Sequence, residues 1–204
     1  MNEVKERIVN EAATLFRSYG IRAVTMDMLA SSLGMSKRTI YENFNDKSEL
    51  LIGVVRYMEM KRVELVQKTL HDSPDVIHAI FTLLKHTGDH FRSMNPAFFD
   101  DLKRHQTVLE ANGLCGIPDL TGSLAIVEKG KKDGVFRPEI GTELTNRAMY
   151  GVFTLAANYE LFPAPDFTRE EIIKGVYISY LRGIATPAGA ELIECYTNVF
   201  ELRF

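Results

Sequence analysis

The 204-residue sequence predicts an all-α protein, and three observations carry that prediction. Apolar residues recur at helical spacing, as in Ile77, Ile80, Phe81, Leu84, Gly88 and Phe91, and again in Ile173, Val176, Tyr177, Tyr180, Leu181 and Ile184. No run alternates convincingly with the period of two that a half-buried strand needs. Prolines stand at 74, 96, 118, 138, 163, 165 and 187 and are absent before residue 74, which is the punctuation expected between helices.

The N-terminal end is built from short helices. Ile8, Ala12, Leu15, Phe16 and Tyr19 form one stripe, and Gly20 directly after it suits a left-handed stop, so the first helix spans about residues 3 to 19. Thr25 can cap a second helix running through Leu33, with Asp27 in its first turn, where the dipole favours an anion. Gly34 ends it. Ser36 caps a third helix through about Asn43, and the link Gly34-Met35-Ser36 fits the corner of a helix-turn-helix. Asp46 with Glu49 three positions later opens a long fourth helix, whose Leu51, Val54, Val55 and Met58 are spaced to face a core.

Lys37 and Arg38 then fall in a first helical turn, where the dipole disfavours cations, and Tyr41 lies four residues beyond Lys37 on the same face. A negative partner outside the chain would explain them. In a helix-turn-helix the second helix enters the major groove with its N-terminal residues on base edges, and helix starts meet phosphates. Neutralising phosphate releases counterions, which outweighs the dipole cost. Thr25 and Ser36 offer hydroxyls and backbone N–H groups suited to phosphate, and Lys47 is another first-turn cation. Ile40 and Phe44, on the other side, pin the third helix to the first two.

Several short patterns here, Ala12-x-x-Leu15-Phe16-x-x-x-Gly20, Leu29-Ala30-x-x-Leu33-Gly34-x-Ser36, Thr39-x-Tyr41-x-x-Phe44 and Lys47-x-x-Leu50, together with Thr25 opening the second helix, resemble the DNA-binding region of the tetracycline-repressor (TetR) family of bacterial transcription regulators. The resemblance covers about the first 50 residues; the remainder matches in architecture only. It implies an N-terminal helix-turn-helix domain, residues 1–46, on a larger helical domain, residues 47–204, that dimerises and holds an inducer pocket. Position by position it makes Thr25, Ser36, Lys37, Thr39, Tyr41 and Lys47 DNA-contacting residues, with Arg38 an addition. The family commonly has a small Gly or Ala near Arg38, so its base preference does not carry over.

The C-terminal part offers dimer helices and a pocket. A two-fold operator needs two subunits with recognition helices about 34 to 36 Å apart. The helices expected at 142–160 and 168–184 have the required stripes: Ala148, Gly151, Val152, Leu155, Ala156 and Tyr159 on the first, Ile173 to Ile184 on the second. A last helix is expected over 188–203, with Leu192, Tyr196, Val199 and Phe200. Phe81, Phe91, Met94, Phe98, Phe99 and Phe153 are the candidate lining of a pocket for a small, substantially apolar inducer; the same stripe also serves as ordinary core. His86 and His90, four apart with Asp89 and His78 nearby, have a spacing that can bind a metal, and a metal-responsive regulator is one alternative. A helical protein-binding adaptor is another. KGKKDG at 129–134 reads as a helix C-terminus with a glycine stop.

Charge and composition narrow the classes. Residues 1–62 carry 10 Lys/Arg against 8 Asp/Glu, whereas residues 63–204 carry 14 against 19, so the positive balance sits at the N-terminal end. The longest charge-free stretch, the 12 residues from Ala148 to Tyr159, is shorter than the ~18 a membrane span needs, and no targeting segment is read. Cys115 and Cys195 have no metal or disulfide spacing. No GxSxG, GxxxxGK, HExxH or GxGxxG occurs. The expectation is a cytoplasmic, non-enzymatic, homodimeric regulator without cofactor, binding a palindromic double-stranded operator and released by an inducer.

Overall fold

The structure, a computed structural model, describes residues 3–114, 121–156, 158, 161–163 and 166–200. Its helices are α1 (Glu3–Tyr19), α2 (Met26–Leu33), α3 (Lys37–Asn43), α4 (Lys47–Asp72), α5 (Val76–Ser93), α6 (Pro96–Arg104), α7 (Gln106–Ala111), α8 (Thr121–Lys132), α9 (Thr142–Ala156), α10 (Arg169–Ile172), a π-helical stretch (Ile173–Ile178), α11 (Ser179–Ile184) and α12 (Pro187–Val199). The all-α expectation holds, with one isolated antiparallel bridge between Phe136 and Ala185 among the described residues. Contacts divide the chain into two units: Met1–Arg62 with Ser93–Asp119, and Val63–Arg92 with Leu120–Phe204.

In the first unit, local chemistry sets the helix ends. The Thr25 hydroxyl accepts from Met28 N–H and the Ser36 hydroxyl accepts from Thr39 N–H, each closing an otherwise open first turn. Gly34 sits at φ 62° and ψ 29°, the left-handed conformation that lets the chain leave α2 and enter α3 within three residues. A Cβ there would meet nothing within 4 Å, so the cost of Gly34→Ala is backbone strain alone. We expect a loss of about 1 kcal/mol, read as a fall of roughly 2 to 4 °C in the thermal midpoint. At α4, Glu49 N–H donates to the Asp46 carboxylate at 2.8 Å, while the Glu49 carboxylate accepts from Asn45 N–H rather than closing a reciprocal box with Asp46.

The core of this unit joins Ile8, Ala12 and Phe16 of α1, Leu29 and Ala30 of α2, Ile40 and Phe44 around α3, and Leu50, Leu51 and Val54 of α4. Those α4 residues explain why the packing keeps α4 with the N-terminal helices as far as Arg62, whereas the boundary read from sequence stood at 46/47. Phe98 of α6 and Leu109 of α7 complete the same core. The approach of α6 is fixed at its start, where Asn95 donates to Arg17 O from its backbone N–H (2.8 Å) and to Ser18 O from its side chain (3.2 Å). The Asn95 side-chain oxygen also caps α6, and Pro96 follows at the first turn, where its missing N–H costs nothing.

The second unit has its own core, built from Ile77, Ile80 and Phe81 of α5, Val127 of α8, Met149 of α9, Ile173, Tyr177 and Ile178 of the π stretch, Leu181 of α11 and Ile193 of α12. Helix α8 ends at a left-handed Gly134, φ 70°, as the KGKKDG reading expected. The following segment is tied down at both ends. Arg137 N–H donates to Ile184 O at 3.0 Å, Thr186 N–H donates to Val135 O at 2.9 Å, and the Thr186 hydroxyl both caps α12 through Gly189 N–H and donates to Gly134 O.

The stretch 168–184 corrects one detail of the sequence reading. A regular helix would place Val176 with Ile173 on the inner face, but the π turn brings residues five apart together. Ile173 and Ile178 are accordingly both buried, and Val176 is half-buried.

Candidate nucleic-acid interface

Helix α3 is seven residues long and is held from behind. Ile40 is fully buried and Phe44 nearly so, with the Lys5 ammonium 4.7 Å from the Phe44 ring centre. This anchoring leaves the opposite face outward, where Ser36, Lys37, Arg38 and Tyr41 are exposed and Thr39 is half-buried. Tyr41 keeps 45% of its surface open on this face. Thr25 is exposed as well, so the residues read from sequence as DNA contacts around the helix-turn-helix, Lys47 apart, lie on solvent-facing positions of this unit.

The cations are not left without counter-charge, contrary to expectation. The Lys37 ammonium lies 2.8 Å from the Asp27 carboxylate of α2, which holds the lysine above its ordinary pKa through the hydrogen bond and the field of that carboxylate. Arg38 Nε lies 2.9 Å from the Glu42 carboxylate one turn on. Both pairs are solvent-exposed, where an ion pair is weak and readily exchanged for another anion. Asp27 was read from sequence only as a first-turn anion. No periodicity pairs residues ten apart across a turn, so the partnership had no sequence signal.

Lys47 stands in the first turn of α4, as expected, but is less exposed than the other cations of this set. It is half-buried, and its ammonium donates to the backbone carbonyls of Arg22 and Val24 in the α1–α2 turn instead of standing out in solvent. Burial pulls its pKa down, and the nearby Asp101 carboxylate partly restores it.

The aromatic pocket set does not form one group. Phe81 and Phe153 belong to the second unit, where Phe81 is fully buried and Phe153 meets Tyr177 edge-on at 6.0 Å between ring centres. Met94, Phe98 and Phe99 pack in the first unit, and the Phe91 side chain lies outside the described residues. Their shared spacing along the sequence did not encode membership of two separate cores. His86 is exposed, the His90 side chain lies outside the described residues, and among those described no group of three His, Cys, Asp or Glu is arranged to hold a metal. Cys195 is exposed and not disulfide-bonded; Cys115 and Tyr159 lie outside the described residues.

Residues 8–54 match the model of the family described as bacterial regulatory proteins, tetR family. The chain is similar to the HTH-type transcriptional repressor KstR2 of Rhodococcus jostii (strain RHA1), at 27% identity over 193 residues, spanning 90% of this chain and 92% of the relative. In fold it is similar to a TetR-family transcriptional regulator from Marinobacter aquaeolei VT8, with a TM-score of 0.61, 18% identity and 100% of both chains covered. It is also similar in fold to RolR solved in complex with resorcinol, with a TM-score of 0.60, 18% identity, and 94% and 92% of the two chains covered.

Proposed function

We propose that the chain, whose residues 8–54 match the tetR-family model and which is similar along 90% of its length to a transcriptional repressor, is a DNA-binding regulator and acts as a homodimeric repressor released from a palindromic operator by a small-molecule effector. The observation that carries the DNA reading is the anchored α3, whose buried Ile40 turns Lys37, Arg38 and Tyr41 outward together. Thr25, Ser36 and Thr39 join these as contacts. The caps at Thr25 and Ser36 leave the remaining first-turn N–H groups of α2 and α3 free to donate to phosphate.

The dimer reading rests on α9 and α10–α11. Leu144 is 74% exposed and Leu155 43%, and Gly151, Gly175 and Gly183 are exposed with open space where a Cβ would stand. Small residues beside uncovered leucines let a second copy approach closely. Gly151→Arg should shift the protein from dimer to monomer in sedimentation and weaken operator binding with it. A dimer that persists in this variant would move the interface elsewhere.

The effector belongs to the second unit, where Phe153 stands half-buried against Tyr177. The kinship in fold to a protein solved with resorcinol supports a small, substantially apolar molecule. Such a ligand acts only through a difference in affinity between the DNA-competent state and the released one.

The test is selection of bound duplexes from random sequence with purified protein, followed by binding measured across salt concentrations. A two-fold symmetric site should emerge, with log K falling linearly against log salt at about −0.9 per phosphate neutralised. Failure to enrich any duplex, or binding indifferent to salt, would defeat the reading.

A further inference from the structure

We infer that Asp101 of α6 and Lys47 of α4 form a clamp on the turn between α1 and α2 that positions the DNA-contacting residues, and that Lys47 serves this clamp instead of meeting phosphate itself. The inference rests on the DNA-binding reading above and adds to it two residues whose part is to place others. The turn begins at Gly20, φ 84°, whose missing side chain lets α6 come close: a Cβ there would stand 3.1 Å from Ala97 Cβ and 3.2 Å from Asp101 Oδ2. Asp101 is 6% exposed, and its Oδ2 accepts from Arg22 N–H at 2.8 Å. From the other side Lys47 Nζ donates to Arg22 O at 3.3 Å and to Val24 O.

Arg22 is thus held by its N–H from α6 and by its carbonyl from α4, while Ile21 and Val24 on either side are buried in the core. A buried carboxylate is costly unless it has hydrogen bonds and a nearby positive charge, and here the turn's N–H and the Lys47 ammonium supply both. Thr25 follows the turn directly, caps α2, and so fixes the start of the helix that carries Asp27, the partner of Lys37. The clamp therefore reaches the reading face through the chain itself. With two of its three N–H donors given to these carbonyls and its stem half-buried, the Lys47 ammonium is committed to the turn and keeps at most one donor for any other acceptor.

Two readouts separate a positioning role from a direct one. The first is amide hydrogen exchange of the full-length protein without DNA: Asp101→Ala should speed exchange at Arg22 and at Met28, whose N–H is capped by Thr25, while leaving the α9 and α12 amides unchanged, and Asp101→Asn, which keeps an oxygen for Arg22 N–H, should recover most of the protection. The second is affinity for the duplex recovered by selection. Lys47→Gln and Asp101→Ala should each weaken binding about tenfold at every salt concentration with the salt slope unchanged, whereas Lys37→Ala should make the slope shallower by about one. A Lys47→Gln protein whose slope falls by about 0.9 with Arg22 exchange at the parental rate would overturn the inference and make Lys47 a phosphate contact. So would an Asp101→Ala protein with parental exchange at Arg22. Because exchange is read without DNA, the clamp stands or falls on it even if the parent enriches no duplex, an outcome that would sink the DNA-binding reading instead.

Discussion

Replacing Lys37 and Tyr41 together by alanine is expected to weaken DNA binding roughly ten- to hundredfold while the protein stays folded. Both side chains project from the exposed face of α3, and the residue that secures the helix, Ile40, is untouched. Neither side chain fills a core position, so the thermal midpoint should remain within about 2 °C of the parent. Loss of the ammonium should also make the salt dependence shallower by about one contact. The single variant Asp27→Asn supplies the converse: it frees Lys37 from its carboxylate and should tighten binding to unrelated duplexes more than to the selected one. If the double variant bound within about threefold of the parent, α3 would not be the reading element.

The second large effect concerns folding. A Cβ at Gly130 would fall 2.2 Å from Phe136 Cδ2, and a Cβ at Gly189 would fall 2.1 Å from Val135 O. Alanine is ordinarily better than glycine inside a helix by about 1 kcal/mol, and Gly130 lies within α8, so propensity alone would favour Gly130→Ala. The contact decides the sign. Phe136 is fully buried and its backbone N–H donates to Gly130 O, so its ring has little room to turn aside, and at Gly189 the obstacle is backbone held by the bond from Thr186. Overpacking of this kind costs about 3 kcal/mol, which lowers the midpoint of the second unit by roughly 6 to 12 °C. Differential scanning calorimetry of either variant checks it, and an unchanged or raised midpoint would show that the segment from Val135 to Thr186 yields easily.

The N-terminal helices were legible in the sequence because their ends are set locally. Thr25, Gly34 and Ser36 act on backbone groups no more than four residues away, and α2 begins and ends, and α3 begins, where those residues place them. What escaped was pairing at distance. Asp27 meets Lys37 ten residues on, and Asp101 meets Arg22 seventy-nine residues back, and no helical period relates either pair. Lys47 shows the limit from the other side: the sequence identified a cation at a helix start, but only the fold shows which acceptors lie within reach of its four-carbon stem. Phe98 and Phe153 share a residue type and a helical setting, so nothing in the sequence separated them into two cores. The π turn had a faint signal in the five-residue spacing of Ile173 and Ile178, outweighed by the ordinary stripe through the same segment.

The placement of Phe98 and Asp101 also bears on how this molecule can be cut and recombined. A reading head excised as residues 1–46, or as 1–62, would leave behind the ring that fills its interior and the carboxylate that holds its first turn. Such a fragment should be a poor building block for chimeras. Grafting this DNA specificity onto another regulator calls for transplanting two stretches of chain at once, the N-terminal helices and the α6–α7 segment.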